Sequence, residues 1–208
     1  MELQLSLDMV TLEEAMRYLE EVDGSIDIIE IGTPFIIQDG LRAVREIRKA
    51  FPRHTILADL KIMDAGEHEA KMAFDAGADI VTVLGVSDDT TVKGAVRAAR
   101  TCGKAVMADM ICVGDIAGRA IEIEGFGADY VCVHTAFDIQ SEENNPLAEL
   151  RIIKKVLKRA KIAVAGGIKQ ETLGGIVAES PDVVIIGGGI TNKPDKKAAA
   201  QTIKNMLK

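Results

Sequence analysis

Eight short apolar segments recur along the chain, each followed by a longer amphipathic stretch, and this alternation limits the fold more than any other feature. The segments span residues 3–8, 26–32, 55–61, 79–85, 104–110, 129–134, 161–166 and 182–187. They are apolar almost throughout, which is typical of parallel strands with both faces buried. The intervening stretches carry apolar residues at helical spacing, and Gly77 and Gly103 stand where helix C-caps are expected.

Eight strand–helix units predict a closed (β/α)8 TIM barrel, an α/β fold, formed as a single domain over residues 1–208. A chain of 208 residues can bury one sizeable core, and nothing in that length demands a second domain. A doubly wound open sheet is the structural alternative. The first strand lacks the following GxGxxG pattern that would favour such a sheet.

Charge and hydropathy exclude several classes of function. Lys and Arg total 25 against 32 Asp and Glu, giving a net charge of −7 without a basic stripe, so no nucleic-acid partner is expected. No apolar run approaches the length of a membrane span, and the start "MELQLSLDMV" lacks signal-peptide features, which predicts a cytoplasmic protein without membrane association. The cysteines Cys102, Cys112 and Cys132 show no CxxC spacing and are expected to be buried free thiols.

Polar residues stand at the carboxyl ends of several predicted strands, where (β/α)8 barrels build their active sites. The residues at these ends are Asp8, Glu30, Asp59, Lys61, Asp109 and His134. A turn or cap role would explain Asp8 alone, and a structural ion pair would explain Asp59, Lys61 and Asp64. Neither alternative accounts for polar residues at the same end of so many strands, so a catalytic site is predicted there.

The last two predicted strands end in glycine, in "AGGI" at 165–168 and "IIGGGI" at 185–190. Glycine lets a ligand approach the backbone and leaves amide donors uncovered, and a following helix offers its positive N-terminus to an anion. Strands seven and eight are the usual phosphate position in these barrels. The turns at Gly166, Gly167, Gly187 and Gly188 therefore predict a phosphate site.

Ligand type decides which metal the mouth of the barrel would suit. Glu30 and Asp59, with Asp109 as a further candidate, offer hard oxygen ligands that suit Mg²⁺ with retained waters, or Mn²⁺. Zinc is disfavoured because only His134 ends a strand. The other two histidines, His54 and His68, lie in a loop and at a helix start, where exposure to solvent is expected.

Lys61 is flanked by carboxylates, which bears on its chemistry. Asp59 and Asp64 would hold Lys61 in its charged form, because nearby opposite charges favour ionisation. A Schiff-base nucleophile needs a lowered pKa, so that role is disfavoured. A permanent cation is better suited to stabilising a developing oxyanion.

These segments resemble the orotidine monophosphate decarboxylase superfamily, and within it the 3-hexulose-6-phosphate synthases. The resemblance covers the whole chain and rests on "LSLDM", "IEIGTP", "DLKIMD", "ADMI", "VHTAFDIQ", "VAGGI" and "IIGGGI"; the D-x-K-x-x-D set is highly specific for the superfamily. The alternative is the similar group of 3-keto-L-gulonate-6-phosphate decarboxylases, which usually carry Glu in place of Asp109 and Arg in place of Phe137. Nucleotide decarboxylases carry an Arg in place of Gly188. These departures favour the synthases.

The resemblance implies a magnesium-dependent aldol condensation of formaldehyde with D-ribulose 5-phosphate to D-arabino-hex-3-ulose 6-phosphate, and the reverse cleavage, through an enediolate. It implies Glu30 and Asp59 as metal ligands, Lys61 as the group that stabilises the enediolate charge, and His134 as the group that transfers protons. Asp64 would reach the active site of the other subunit in a homodimer with shared sites. The implied substrate-binding residues are Asp8, Asp109, Gly166, Gly167, Gly187 and Gly188.

Two further functions fit the sequence less well. A non-catalytic barrel that only binds a sugar phosphate or a partner would be expected to lack members of the charged set, and none is missing. A ribulose-phosphate epimerase would need more than one histidine at the strand ends for its metal, whereas this chain supplies only His134.

Overall fold

The computed structural model describes residues 1–141 and 146–208 and confirms the predicted (β/α)8 barrel. Eight parallel strands close into a barrel in chain order, with the last paired to the first. Each strand lies within one or two residues of a predicted apolar segment. The strands are β1 Glu2–Leu7, β2 Ile28–Ile31, β3 Thr55–Ile62, β4 Ile80–Leu84, β5 Ala105–Asp109, β6 Tyr130–His134, β7 Lys161–Ala165 and β8 Val183–Ile186.

Helices cover the outside of the barrel between the strands. In the described parts of the chain they are α1 Leu12–Val22, α2 Thr33–Asp39, α3 Arg42–Ala50, α4 Gly66–Ala76, α5 Asp89–Cys102, α6 Ile116–Phe126, α7 Leu147–Val156, α8 Leu173–Ala178, α9 Gly188–Thr191 and α10 Lys196–Met206. Gly77 and Gly103 end α4 and α5 in the left-handed conformation, as predicted. The short α2 was not predicted; Pro34 lies in its first turn, a favourable position because Pro sets a helical φ.

The core has two apolar parts because successive strand residues point to opposite faces of the sheet. Outward residues such as Leu5 and Ile29 pack against the helices. Inward residues fill the barrel interior, namely Ile28, Leu57, Ile80, Met107, Cys132, Ala163, Ala165, Val183 and Ile185. Two residues further along β2 to β6, the inward positions hold Glu30, Asp59, Thr82, Asp109 and His134. The polar residues are therefore gathered above an apolar plug, at the carboxyl ends of the strands.

The three cysteines are free thiols in different environments. Cys132 is buried in the barrel interior and Cys102 is half-buried, but Cys112 is exposed, so the prediction of burial is wrong for Cys112. Cys112 lies in the turn after β5 with a φ of 61°, where the chain leaves the barrel towards solvent. No helix in the described segments is both long and apolar enough to cross a lipid bilayer.

Candidate active site

A chain of ion pairs joins three strands at the mouth of the barrel. Lys61 Nζ on β3 lies 2.8 Å from Asp59 Oδ2 and 3.0 Å from Asp109 Oδ2 on β5. The same Asp109 oxygen lies 2.8 Å from His134 Nδ1 on β6. Four of the six polar residues predicted at the strand ends thus form one connected network, Asp59–Lys61–Asp109–His134, whereas Glu30 and Asp8 hydrogen-bond to Gln4 and Ser6 instead.

This network fixes the charges of Lys61 and Asp109. Burial favours a neutral Lys61, but the carboxylates of Asp59 and Asp109 outweigh it and raise the pKa of Lys61 above its ordinary value. Burial likewise opposes an ionised Asp109, but hydrogen bonding and charge from His134, with help from Lys61, lower the pKa of Asp109 to about 2. Lys61 is therefore a permanent cation at neutral pH, as interpreted from the sequence, but the second carboxylate that holds its charge is Asp109 and not the predicted Asp64.

The ionised Asp109 also determines where His134 carries its proton. A carboxylate can only accept hydrogen bonds, so the Nδ1 atom of His134 must be the donor. The backbone N–H of Ile111 donates to the other Asp109 oxygen at 3.0 Å, which fixes the carboxylate plane. A neutral His134 consequently keeps Nε2 as its acceptor, the atom that a general base needs.

Glu30 is the buried carboxyl group of β2. Its Oε2 accepts a hydrogen bond from Gln4 Nε2 at 2.6 Å. Burial, together with the nearby charges of Asp59 and Asp8, raises the pKa of Glu30 to about 8. A bound cation would reverse this effect, because it would favour the ionised form.

Asp59 retains limited capacity for a metal ion. Its Oδ2 accepts from Lys61 and from Thr33 Oγ1 at 2.9 Å, and its Oδ1 accepts from Thr82 Oγ1 at 2.7 Å. Two lone pairs per oxygen leave Oδ1 able to take one more partner. The described residues hold no cluster of three or more His, Cys, Asp or Glu arranged for a metal. Two oxygen donors, from Glu30 and Asp59, nevertheless suit Mg²⁺, which keeps several of its waters.

Asp8 lies between the charged network and the turn after β8. Its Oδ2 accepts from Ser6 Oγ at 2.9 Å, and burial raises its pKa. A Cβ atom on Gly32 would lie 2.2 Å from Asp8 Oδ1, and one on Gly187 would lie 3.4 Å from Asp8 Oδ2. Gly32 is thus a position where only glycine leaves room for the carboxylate.

Asp64 stands apart from the network. It is exposed on the turn after β3, and its Oδ1 accepts from the backbone N–H of Ala65 at 2.7 Å. Within the described chain Asp64 forms no hydrogen bond or ion pair with Lys61. The structure therefore does not bring these two predicted catalytic residues together within one protomer.

The glycine turns after β7 and β8 lie side by side, because these strands are neighbours in the barrel. Gly166 and Gly167 have φ values of 104° and 65°, in the left-handed region that favours glycine. A Cβ atom on Gly166 would lie 2.4 Å from the carbonyl oxygen of Thr135. After β8, Gly187 precedes α9, whose first residue is Gly188.

Four polar residues of the site were not predicted from the sequence. They are Gln4, Ser6, Thr33 and Thr82, which bind the carboxylates of Glu30, Asp8 and Asp59. Gln4 and Thr82 are buried at inward positions of β1 and β4. An uncharged polar residue at an inward position of an apolar strand is the signal that would have found them.

Comparison with known proteins places this site in a family. A family model described as Orotidine 5'-phosphate decarboxylase / HUMPS family matches residues 1–203. The 3-hexulose-6-phosphate synthase of Bacillus subtilis (strain 168) is 53% identical over 207 residues, covering 100% of this chain and 99% of the relative.

Solved structures give the same result. The crystal structure of 3-hexulose-6-phosphate synthase from Salmonella typhimurium matches with a TM-score of 0.97 and 46% identity, covering 100% of this chain and 98% of the other. The crystal structure of KGPDC from Streptococcus mutans matches with a TM-score of 0.87 and 25% identity, covering 99% and 96%. The chain belongs to the Orotidine 5'-phosphate decarboxylase / HUMPS family, and within it to the enzymes of the 3-hexulose-6-phosphate synthase type, which are aldehyde-lyases.

Proposed function

We propose that this enzyme condenses formaldehyde with D-ribulose 5-phosphate to give D-arabino-hex-3-ulose 6-phosphate, and cleaves that product in reverse. The observation that carries the proposal is the Asp59–Lys61–Asp109–His134 network, which sets a fixed cation beside a potential base. The names of the relatives support a sugar phosphate as substrate.

The substrate would lie across the mouth with its phosphate on the adjacent glycine turns. The backbone at Gly166, Gly167, Gly187 and Gly188 lacks side chains that would cover its amide groups, which supports this placement. Asp8 lies against Gly187 and would accept hydrogen bonds from substrate hydroxyls. Asp109 would share that role while it holds His134.

Deprotonation at C1 of the sugar starts the reaction. His134 Nε2 takes the C1 proton, and the electron pair of the broken C–H bond forms the enediolate. The ammonium group of Lys61 stabilises the negative charge on the enediolate oxygen. The enediolate oxygen then re-forms the sugar carbonyl while the C1–C2 double-bond pair attacks the formaldehyde carbon. The formaldehyde C=O pair moves to its oxygen, and the protonated His134 returns its proton to that alkoxide.

Glu30 and Asp59 are the proposed ligands of Mg²⁺, with Mn²⁺ as an alternative. When bound, a divalent cation would polarise the sugar carbonyl and oppose the charge that develops on its oxygen. The crowding of carboxylates around Glu30 supports a cation at this position.

The cytoplasmic location that was predicted from the sequence stays a prediction.

A homodimer with shared sites completes the proposal. Asp64 is exposed beside Met63, whose side chain is also exposed, and together they form a surface that a second copy would cover. In that assembly Asp64 would reach Lys61 of the other protomer and help to orient its ammonium group.

Turnover with purified enzyme tests the function directly. D-ribulose 5-phosphate and formaldehyde are supplied with Mg²⁺ and again after chelation, and 3-keto-L-gulonate 6-phosphate is tested in parallel. Formation of the hexulose phosphate that depends on metal and exceeds decarboxylation supports the proposal. Fast decarboxylation with little aldol product would overturn it and would mean that Asp109 and the exposed Phe137 do not mark a synthase.

A further inference from the structure

Lys61 has a backbone conformation that non-glycine residues usually avoid. Its φ is 47°, in the left-handed region, although it lies within β3. The pairing of β3 with β4 shifts at the same place, because Ala58 pairs with Val81 and Ile62 pairs with Val83. Strand β3 thus advances four residues while β4 advances two, and residues 59–61 leave the regular ladder.

Thr82 of β4 lies opposite this irregular segment. Its Oγ1 accepts a hydrogen bond from the backbone N–H of Lys61 at 2.9 Å and lies 2.7 Å from Asp59 Oδ1. An N–H can only donate, so the hydroxyl must accept from Lys61 and give its single proton to Asp59. Thr82 is 4% exposed, and water is therefore a poor substitute for either bond.

We propose that Thr82 is a positioning residue: its hydroxyl replaces the missing ladder bond and holds the Lys61 backbone and the Asp59 carboxylate in one geometry. With the backbone held in this way, the ammonium group of Lys61 reaches Asp59 and Asp109 together. The catalytic consequence rests on the proposed function, whereas the hydrogen bonds of Thr82 are observed in the structure.

A purely structural role explains Thr82 less well. The preceding inward residue of β4 is Ile80, and valine has the same shape as threonine and favours strands equally well. Packing alone would therefore be satisfied by valine at position 82. Thr33 contacts Asp59 from another side, through its carboxylate and carbonyl oxygens, but it does not bind the backbone of Lys61.

Kinetics of three variants test the catalytic consequence. We expect Thr82→Val and Thr82→Ala to lower kcat about 100-fold with KM for the sugar phosphate changed less than about threefold, and Thr82→Ser to stay within about threefold of the parent enzyme. Thr91→Val is the matched control, because Thr91 is also buried but lies on the outer helix α5 and binds neither Lys61 nor Asp59. The proposal would be overturned if Thr82→Val and Thr82→Ala kept the kcat of the parent enzyme, or if Thr82→Ser lost as much kcat as they do.

Hydrogen–deuterium exchange at the Lys61 amide tests the hydrogen bond without any turnover. We expect exchange to accelerate in Thr82→Val and Thr82→Ala and to stay slow in Thr82→Ser and Thr91→Val. Unchanged protection in both Thr82→Val and Thr82→Ala would overturn the inference even in an active enzyme. A parent enzyme without synthase activity would instead refute the proposed function, and the exchange data would still decide the role of Thr82.

Discussion

Lys61 balances two buried carboxylates, so its loss has an electrostatic consequence as well as a catalytic one. Lys61→Ala leaves Asp59 and Asp109 close together without their shared cation. We expect kcat to fall at least about 1000-fold, because the enediolate of the proposed reaction would lose the cation that stabilises it. We also expect the free energy of unfolding at neutral pH to fall by about 3 kcal/mol, measured by urea denaturation.

The double variant Lys61→Ala/Asp109→Asn separates these two effects. Removing one carboxylate charge relieves the repulsion, so stability should recover while activity stays lost. If the single variant Lys61→Ala is as stable as the parent enzyme, then Lys61 does not offset a destabilising repulsion between Asp59 and Asp109.

Glu30 gives a prediction for the pH dependence of stability. Its pKa is raised from 4.5 to about 8, so the folded protein binds a proton that the unfolded chain releases. The stability gained from this proton is present below pH 4.5 and is lost as the pH rises through about 8. In Glu30→Gln the group cannot ionise, and the variant should become the more stable protein as the pH rises.

Thermal unfolding in the presence of chelator measures this effect. The melting temperature of Glu30→Gln relative to that of the parent enzyme should increase from pH 5 to pH 8.5. The corresponding change in the free energy of unfolding is limited to a few kcal/mol, since one pKa unit corresponds to about 1.4 kcal/mol. Added Mg²⁺ should stabilise the parent enzyme more than the variant. A difference in melting temperature that does not change with pH would contradict the assigned protonation of Glu30.

The charged residues of the site could be predicted from the sequence because they follow apolar strands, and barrel geometry brings strand ends together. Their supporting partners could not be predicted in the same way. The contact of Thr82 with the Lys61 backbone depends on a register shift between β3 and β4. No residue pattern in either strand predicts that shift. Side-chain pairing across strands is a property of register, which the order of segments leaves open.

A repeated hydrogen-bond clamp joins neighbouring strands at the opposite end of the barrel. An aspartate precedes each even-numbered strand, and its carboxylate accepts a backbone N–H from the odd-numbered strand before it. The four pairs are Asp27 with Leu3, Asp79 with Ile56, Asp129 with Val106, and Asp182 with Ile162, at 2.7 to 2.9 Å. Each aspartate also donates its own N–H to the carbonyl of the same partner. The clamp thus fixes the register at the start of four strand pairs.

The clamps should differ in strength according to their charges and burial. Asp79 also pairs with Arg48 and Lys104, and these contacts lower its pKa despite partial burial, whereas Asp182 is exposed. We expect Asp79→Ala to lower the free energy of unfolding by about 2–3 kcal/mol and Asp182→Ala by about 1 kcal/mol. Urea denaturation checks both values.

The exposed Asp75→Ala is the matched control for these clamp variants. It breaks only a surface pair with Lys71 and should change stability by less than about 0.5 kcal/mol. Since the clamps lie far from the mouth, kcat per folded molecule should be unchanged in all three variants. Equal losses of stability in Asp75→Ala and Asp79→Ala would contradict the clamp.

The turn after β7 can be tested with a pair of glycine substitutions. Gly166→Ala forces a Cβ atom to within 2.4 Å of the Thr135 carbonyl oxygen and keeps a φ of 104° that alanine avoids. We expect KM for the sugar phosphate to rise at least about tenfold, because the displaced turn would lose the amide contacts proposed for the phosphate. Gly174→Ala on α8 meets no atom within 4 Å and should leave KM unchanged. Equal KM values in the two variants would show that the phosphate does not bind at this turn.

At the scale of the whole molecule, the two ends of the barrel have different tasks. The clamp aspartates at one end accept hydrogen bonds from backbone N–H groups of their own chain. Asp64 at the other end is exposed and does not contact the Lys61 of its own protomer. In the proposed homodimer, Asp64 would therefore complete the site of the other protomer. Adjacency in "DLKIMD" does not say which copy of Lys61 the aspartate serves, and only the family resemblance led us to expect that Asp64 serves the other copy.

Hybrid dimers test whether the active site is shared. Lys61→Ala and Asp64→Asn should each be inactive as pure proteins. When the two are unfolded together and refolded as an equal mixture, half of the dimers should be hybrids, and each hybrid contains one site with an intact Lys61 and an intact Asp64. Random pairing then predicts about a quarter of the parent activity.

The oligomeric state of the mixture is measured in parallel by native mass spectrometry, so that hybrids are counted rather than assumed. Activity that rises in proportion to the hybrid fraction locates Asp64 in the partner's site. If hybrids form and the mixture stays inactive, both residues must act within one chain, and the exposed Asp64 would have to move towards its own Lys61 when substrate binds.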